Sequence, residues 1–441
     1  MTARYMSETI SAATALLSAA CAWGWGSPHA TITQAALKTL PAWQREALGD
    51  ELAPLGNLYC IIPDLVHTRK DLRPYAMTDS RPGVVYLVSL HLPATPSENY
   101  ELLRTFMGKA VAALQTNNIA DAARYSGTLA HMLEDWGCPA HVAPGDNMFN
   151  LFKQFLPPPS SFSGTLLHSP IENGTFTLAP GDRPPCLLGT SVDEAAFHLL
   201  RRVQEATVYA RSKIIPIIQA LYAGDTNAVN AAQQSAAAFD VHVVADALHT
   251  VFCLGRQRFD ARDQARLASV DLSAHTPLEA PDLHFPQASF FSKPYWGYPT
   301  AGQFLRNGAE AVPLLLKVAE NGQTTTRTFT SGMGTGTRST LTYLIPANVY
   351  PRFTARVGLQ AELGVSGHVM FEVFGNGQSL ARLGPVSGDT PAPAVDVTLA
   401  GITNLQLTAT SASGDGTGNY AIWAATTLLK APAPDTPTRR K

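Results

Sequence analysis

His131-Met-Leu-Glu-Asp135-Trp-Gly-Cys-Pro-Ala-His141 reads as the last turns of a helix followed by a tight turn. His131 and Asp135 stand four apart, so on a helix they project from one face, one turn from each other. Gly137 and Pro139 end the helix, and His141 falls on the turn, able to face a neighbouring ion. Imidazole and carboxylate groups are the ligands that zinc takes. A hydrolytic site needs several of them converging, with one position left open for water. A single His and Asp on a helix face is weak evidence, so the surrounding sequence has to supply the rest of the set.

Ile119–Trp136 carries the periodicity of one helix that ends on this motif. Ala30–Leu40, which stops before Pro41, is another helix, and so is Tyr100–Leu114, with Leu102, Leu103, Phe106, Val111 and Leu114 in an apolar stripe. Glu194–Tyr222 and Asn227–Phe252 are long and alanine-rich. The intervening run from Pro157 to Pro185 is rich in Pro, Ser and Gly, and a long loop inside a compact domain is usually functional or mobile. From about 275 the character changes. Pro, Gly and aromatic residues crowd 277–302, and short β-like runs then alternate with turn residues. Val369–Phe374 followed by Gly375-Asn-Gly377 is a hairpin signal, and Leu405–Ala409 and Tyr420–Leu429 continue the pattern of a β-sandwich.

A chain of 441 residues is too long for one ordinary core and predicts two domains. With 45% hydrophobic and 15% charged residues it is globular and not disordered. A formal net charge of -2 without long basic runs argues against a general polyanion binder, though not against an enzyme that cuts nucleic acid. Residues 1–22 read as a signal peptide: Arg4, the apolar stretch Ile10–Ala20, and a small-x-small site at Ala20-Cys21-Ala22. The expectation is a secreted or periplasmic protein. No other run of about 18 apolar residues occurs, which predicts a soluble mature chain with no transmembrane segment. Cys60, Cys138, Cys186 and Cys253 could form two disulfides in an exported protein or stay as buried thiols.

Further metal donors lie on both sides of the opening motif. Trp23-Gly-Trp25-Gly-Ser-Pro-His29 follows the cleavage site directly. With Trp23 as the mature N-terminus, its α-amino group and carbonyl could chelate a metal, with His29 adding an imidazole. Asp64, His91 and His168-Ser-Pro-Ile-Glu172, another His and carboxylate four apart, come next. His242, Asp246 and His249 also share one face of a helix, Asp240–Phe252, and could replace His168 and Glu172 or support the site from behind. His67 competes with His91. His198, His275, His284 and His368 read as structural or surface residues. Trp25, Tyr86, Trp136 and Phe149 could form a choline-binding aromatic face, or simply pack in the core.

In order, Trp23, His29, Asp64, His91, His131-x-x-x-Asp135, His141 and His168-x-x-x-Glu172 resemble the ligand series of the bacterial zinc-dependent phospholipase C family, which is related to the S1/P1 nucleases. The resemblance covers roughly 23–270 and implies a mainly α-helical domain holding three Zn2+ ions. It implies that Trp23 and His29 share one ion with Asp135, whose carboxylate bridges to a second completed by Asp64, His91 and His131. His141, His168 and Glu172 would hold the third. It further implies that a zinc-bound hydroxide attacks phosphorus, with Asp64 and Asp135 as the catalytic residues. The long separations from Asp64 to His91 and from His141 to His168 depart from the family pattern. The Trp23–His29 spacing is closer to the nuclease branch, whereas Glu172 leans toward the phospholipase branch.

The β-rich half resembles the NPCBM type of carbohydrate-binding module, a jelly-roll sandwich of the galactose-binding-like kind. Tyr420 and Ile422 stand where that family usually has Asp and His, and Trp423 is either a stacking platform for sugar or a core residue. The expected organisation is a signal peptide over 1–22, a helical catalytic domain over 23–275, a linker over 276–300, the sandwich over 301–430 and a loose tail over 431–441. The function this predicts is phospholipase C-type cleavage of phospholipid at a membrane surface, with a glycan as partner of the sandwich. An S1/P1-like nuclease or phosphatase, with nucleic acid as substrate, and a non-catalytic carbohydrate-binding surface protein are the alternatives.

Overall fold

The computed structural model describes residues 28–77, 90–93, 95–142, 152–164, 168–275, 300–306, 310–337, 339–363, 366–413 and 418–430. The main helices follow local signals in the chain. α1 spans Pro28–Thr39. α2, Pro96–Gln115, starts on a capping box in which the Thr95 hydroxyl accepts from the Glu98 amide and the Glu98 carboxylate reaches back to Thr95. α3, Ile119–Trp136, is capped by the Asn118 side chain and stops at Gly137. α4 is the short His168–Glu172. α5, Val192–Ala223, and α6, Thr226–Arg256, are capped by Ser191 and Asp225.

α6 is the centre of this half and packs against α1, α2, α3 and α5. By length and composition it is apolar enough to cross a membrane, yet 83% of its apolar window is buried inside the protein. Asp240, His242, Asp246 and His249 interrupt it, so it contains no unbroken run of 18 apolar residues. Alanines raise the mean hydropathy of a helix whose neighbours cover it on several sides, which is the signature of a core helix in a bundle. Cys60, Cys138, Cys186 and Cys253 are not joined to one another in disulfides.

The chain divides into two compact units, Met1–Asp260 and Ala261–Lys441. The second is antiparallel β. Its strands are β1 Ser269–Asp271, β2 Thr300–Ala301, β3 Gln303–Arg306, β4 Glu310–Glu320, β5 Gln323–Phe329, β6 Gly332–Gly334 and β7 Ser339–Leu344, then β8 Arg352–Leu359, β9 His368–Gly375, β10 Gln378–Ser387, β11 Ala394–Thr398, β12 Asn404–Ser411 and β13 Ala421–Leu429. One sheet runs β11-β8-β13-β6-β2, with β1 paired to β13. A second runs β10-β9-β12-β7, and β3-β4-β5 form a third.

Alternation makes the sandwich. Val369, Phe371 and Val373 of β9 are fully buried, and Phe371 meets Trp423 of β13 edge to face at 5.3 Å, joining the inner faces of the two larger sheets. Asn376 and Gly377 both have positive φ, 49° and 81°, and close the β9–β10 hairpin where Asn-Gly predicts it. The segment after α6 belongs to this unit, because Ser269–Asp271 pairs with Thr427–Leu429.

Candidate metal centre

Separate elements of the helical unit bring the predicted donors together. α1 supplies His29, the short helix Ile62–Leu65 supplies Asp64, and His91 comes from the segment 90–93. α3 supplies His131 and Asp135, the turn after it His141, and α4 ends on Glu172. Two glycines permit the close approaches this needs. A Cβ on Gly127 would sit 2.4 Å from the Tyr59 carbonyl carbon and oxygen, so only glycine lets α3 lie against the turn Tyr59–Ile61. That contact carries the Cys60 carbonyl to His131, one turn further along. A Cβ on Gly137 would lie 1.9 Å from an oxygen of Asp240 on α6.

Asp135 is the hub. Its Oδ2 lies 2.7 Å from His91 Nδ1 and 3.1 Å from His131 Nε2, and its Oδ1 lies 3.3 Å from His29 Nε2 and 3.5 Å from His141 Nδ1. Asp64 Oδ1 is 3.9 Å from both His91 Nε2 and His131 Nε2. His141 Nε2 is 3.1 Å from Glu172 Oε1. The donor atoms of His29, Asp64 and His131 lie within 4.8 Å of one another, and so do those of His91, His131 and Asp135. All these residues are buried except Asp64, whose side chain is 26% exposed.

The proton positions follow from the partners. His131 Nδ1 donates to the Cys60 carbonyl at 2.9 Å, His141 Nδ1 to the His91 carbonyl at 3.0 Å, and His29 Nδ1 to Glu134 Oε2 at 2.6 Å. In the neutral form, which is the one a metal ion takes, each of the three has its N–H at Nδ1 and its lone pair at Nε2, turned inward. The Nε2 atoms of His29 and His141 face carboxylate oxygens, and His131 Nε2 pairs at 3.1 Å with His91 Nδ1, which also lies 2.7 Å from Asp135 Oδ2. Nitrogens this close to carboxylate oxygens need a proton or a metal ion between them. His29 Nε2 is buried with no hydrogen-bond partner. The same demand for positive charge shows in the acidities. Burial opposes protonation of His29, but Asp135 and then Glu134 hold its pKa well above the ordinary value. Burial also works against an ionised Asp135, yet His131, His141 and His29 hold it well below. Such a donor set fits a divalent zinc ion.

Neighbouring thiols do not compete. Burial, reinforced by Glu134, pushes the Cys60 thiol well up, and burial with Glu172 does the same for Cys138, so both stay protonated. Among the predicted ligands, His29, Asp64, His91, His131, Asp135, His141 and Glu172 are described, and they gather in this one region. Trp23 lies outside the described residues. His168 opens α4, but its side chain is outside them. His67 is exposed on the surface.

His242, Asp246 and His249 go elsewhere. Asp246 takes a two-pronged contact from Arg183 at 2.9 and 2.7 Å and accepts from the Cys186 amide, while His249 meets Gln44 at 2.9 Å. His242 faces Asp182 at 3.2 Å, and burial, with Arg183 adding to it, lowers its pKa. Of the aromatic residues expected to form a choline-binding face, Trp25, Tyr86 and Phe149 lie outside the described residues, and Trp136 is fully buried in the core. Trp423 is likewise fully buried and is a core residue of the sandwich. One residue next to the centre escaped the sequence reading. Glu134 is fully buried, and its carboxylate takes both His29 Nδ1 and the Thr33 hydroxyl. Its position three after His131, with Thr33 four after His29, was the available signal.

Comparison with known proteins places the β unit in a family. Residues 307–429 match the NPCBM/NEW2 domain. Among solved structures, the CBM51 of a Clostridium perfringens GH95 in complex with methyl-galactose is similar at 23% identity, over 36% of this chain and 99% of that one, with a TM-score of 0.30. The CBM51-2 and INT domains of C. perfringens ZmpB are similar at 20% identity and a TM-score of 0.30 over 37% of this chain, which spans only 31% of that structure's length. Over 93% of this chain and 99% of the other, C. perfringens alpha-toxin from an avian strain is similar at 12% identity and a TM-score of 0.31. No curated protein sequence matches. The chain therefore joins a helical unit carrying a buried His and carboxylate cluster to an NPCBM domain.

Proposed function

We propose that the helical unit is a zinc-dependent phosphodiester hydrolase of phospholipase C type, cleaving phospholipid to diacylglycerol and a phosphorylated head group. The observation that carries this reading is the Asp135 carboxylate, buried and met by four imidazoles within 3.5 Å. His29, Asp64, His91, His131, Asp135, His141 and Glu172 would hold the zinc, with Trp23 and His168 completing a set for three ions. Zinc held there would supply a nucleophilic water at neutral pH and positive charge for the phosphoryl oxygens.

The chain's own groups have distinct tasks in this reaction. Asp135 gathers the imidazoles from two sides and so fixes the spacing of the donors. The Cys60 and His91 carbonyls hold His131 and His141 with Nε2 inward. Asp64 alone among the described donors reaches solvent, so it is the group placed to take the proton from an attacking water at Oδ1. The leader over 1–22 would export the chain and, by cutting before Trp23, complete the site. Outside the cell, the NPCBM domain would bind a glycan and hold the enzyme near a cell surface.

The test is hydrolysis of phosphatidylcholine vesicles and of single-stranded DNA by the processed, zinc-loaded protein, with His131→Ala as control. Lipid cleavage that His131→Ala abolishes is the expected result. Cleavage of DNA alone would replace the lipid by nucleic acid as substrate. Loss of neither substrate would overturn hydrolysis altogether.

A further inference from the structure

Glu134 is the one carboxylate at the centre that the predicted ligand series leaves unused. It lies on α3 between His131 and Asp135 but points to α1. A carboxylate with no exposure is costly to bury unless its oxygens are hydrogen-bonded. Here each oxygen has one partner: Oε2 takes His29 Nδ1 at 2.6 Å and Oε1 takes the Thr33 hydroxyl. Both partners sit on α1, four residues apart and thus on one helix face. His29 is equally buried, and its other nitrogen, Nε2, has no hydrogen-bond partner and stands 3.3 Å from Asp135 Oδ1.

We infer that Glu134 is a positioning residue for metal binding: through Thr33 and His29 Nδ1 it locks the imidazole with its Nε2 lone pair aimed at Asp135, and its charge makes that nitrogen a stronger ligand. The inference rests on the zinc reading above. A ligating imidazole backed by a carboxylate is oriented and made more basic by it, and losing the carboxylate typically costs metal affinity about 10–100-fold. His131 and His141 turn Nδ1 to the Cys60 and His91 backbone carbonyls, with Asp135 Oδ1 also 3.5 Å from His141 Nδ1. His91 Nδ1 meets Asp135, itself in the ligand series, whereas the carboxylate behind His29 Nδ1 lies outside that series. Thr33 has a matching role, because its hydroxyl occupies the oxygen that would otherwise let the carboxylate turn away from His29.

The experiment is a zinc titration of the processed full-length protein against a competing chelator, read as ions per chain and affinity, together with the visible spectrum of the cobalt(II)-loaded form. Glu134→Gln keeps the shape and removes the charge. It should weaken one ion by about 10–100-fold and change the cobalt spectrum, while the metal-free protein melts as the parent does. In a His29→Ala background the same change should have no further effect on the ions that remain. Parental affinity and spectrum in Glu134→Gln would overturn the inference and leave the zinc reading standing. A parent that takes up no metal would overturn both. Should Glu134→Gln not fold, Thr33→Val decides: a several-fold weaker ion is expected, and parental affinity overturns the role.

Discussion

The two units treat buried polarity in opposite ways. The helical unit buries Glu134, Asp135, Glu172, Glu194, Asp240 and Asp246, along with His29, His91, His131 and His141. Among its described residues the β unit buries only neutral or imidazole groups: Ser273, His275, Thr335, Ser339, Thr342, Gln360, Asn419 and Thr426. Each buried carboxylate costs several kcal/mol if it is not paired, and three of the six, Glu134, Asp135 and Glu172, lie together among the imidazoles. The sandwich has the interior of a stable scaffold, with apolar residues alternating inward. The helical unit gives up stability where its acids and imidazoles converge, which is how a functional site differs from a core.

The largest effect should come from Asp135→Asn. It removes the charge that gathers His29, His91, His131 and His141, and should lower hydrolysis by about 10³-fold, the equivalent of several kcal/mol of lost metal stabilisation in the transition state. Zinc content should fall with it, while the melting of the β unit stays as in the parent. Trp423→Ala is the mirror-image change. Emptying that core site should cost about 3–5 kcal/mol, read by calorimetry, with zinc per chain unchanged. Zinc loss in Trp423→Ala would break the comparison, because the site would then depend on the sandwich. Smallest is Asp246→Asn, which weakens the hydrogen bonds to Arg183 and the Cys186 amide. A loss of about 1–3 kcal/mol without loss of zinc is expected. A fall in zinc content would make Asp246 part of the metal centre after all.

How much was legible varied with the range of the interactions. Ile119–Trp136 has the same ends in the sequence reading and in the structure, because the Asn118 cap and the Gly137 stop are local signals. The β9–β10 hairpin was legible for the same reason. Glu134 was not, since its partners His29 and Thr33 are 105 and 101 residues away and a charged residue beside Asp135 reads as solvated surface. His242, Asp246 and His249 have spacing as good as that of His131 and Asp135. What separates them is Arg183, brought from the loop before α5, which no helix periodicity encodes. The strand Gln323–Phe329 carries no alternation, being exposed over all but its last residue, so its pairing with Glu310–Glu320 had no pattern to betray it.

On the proposed function, the buried His and carboxylate cluster holds zinc. The direct measurement is native mass spectrometry with elemental analysis of the processed protein, beside Asp135→Asn. Two or three zinc ions per parent chain, reduced in the variant, is the predicted result. A correctly processed parent that stays metal-free in the presence of zinc would contradict it.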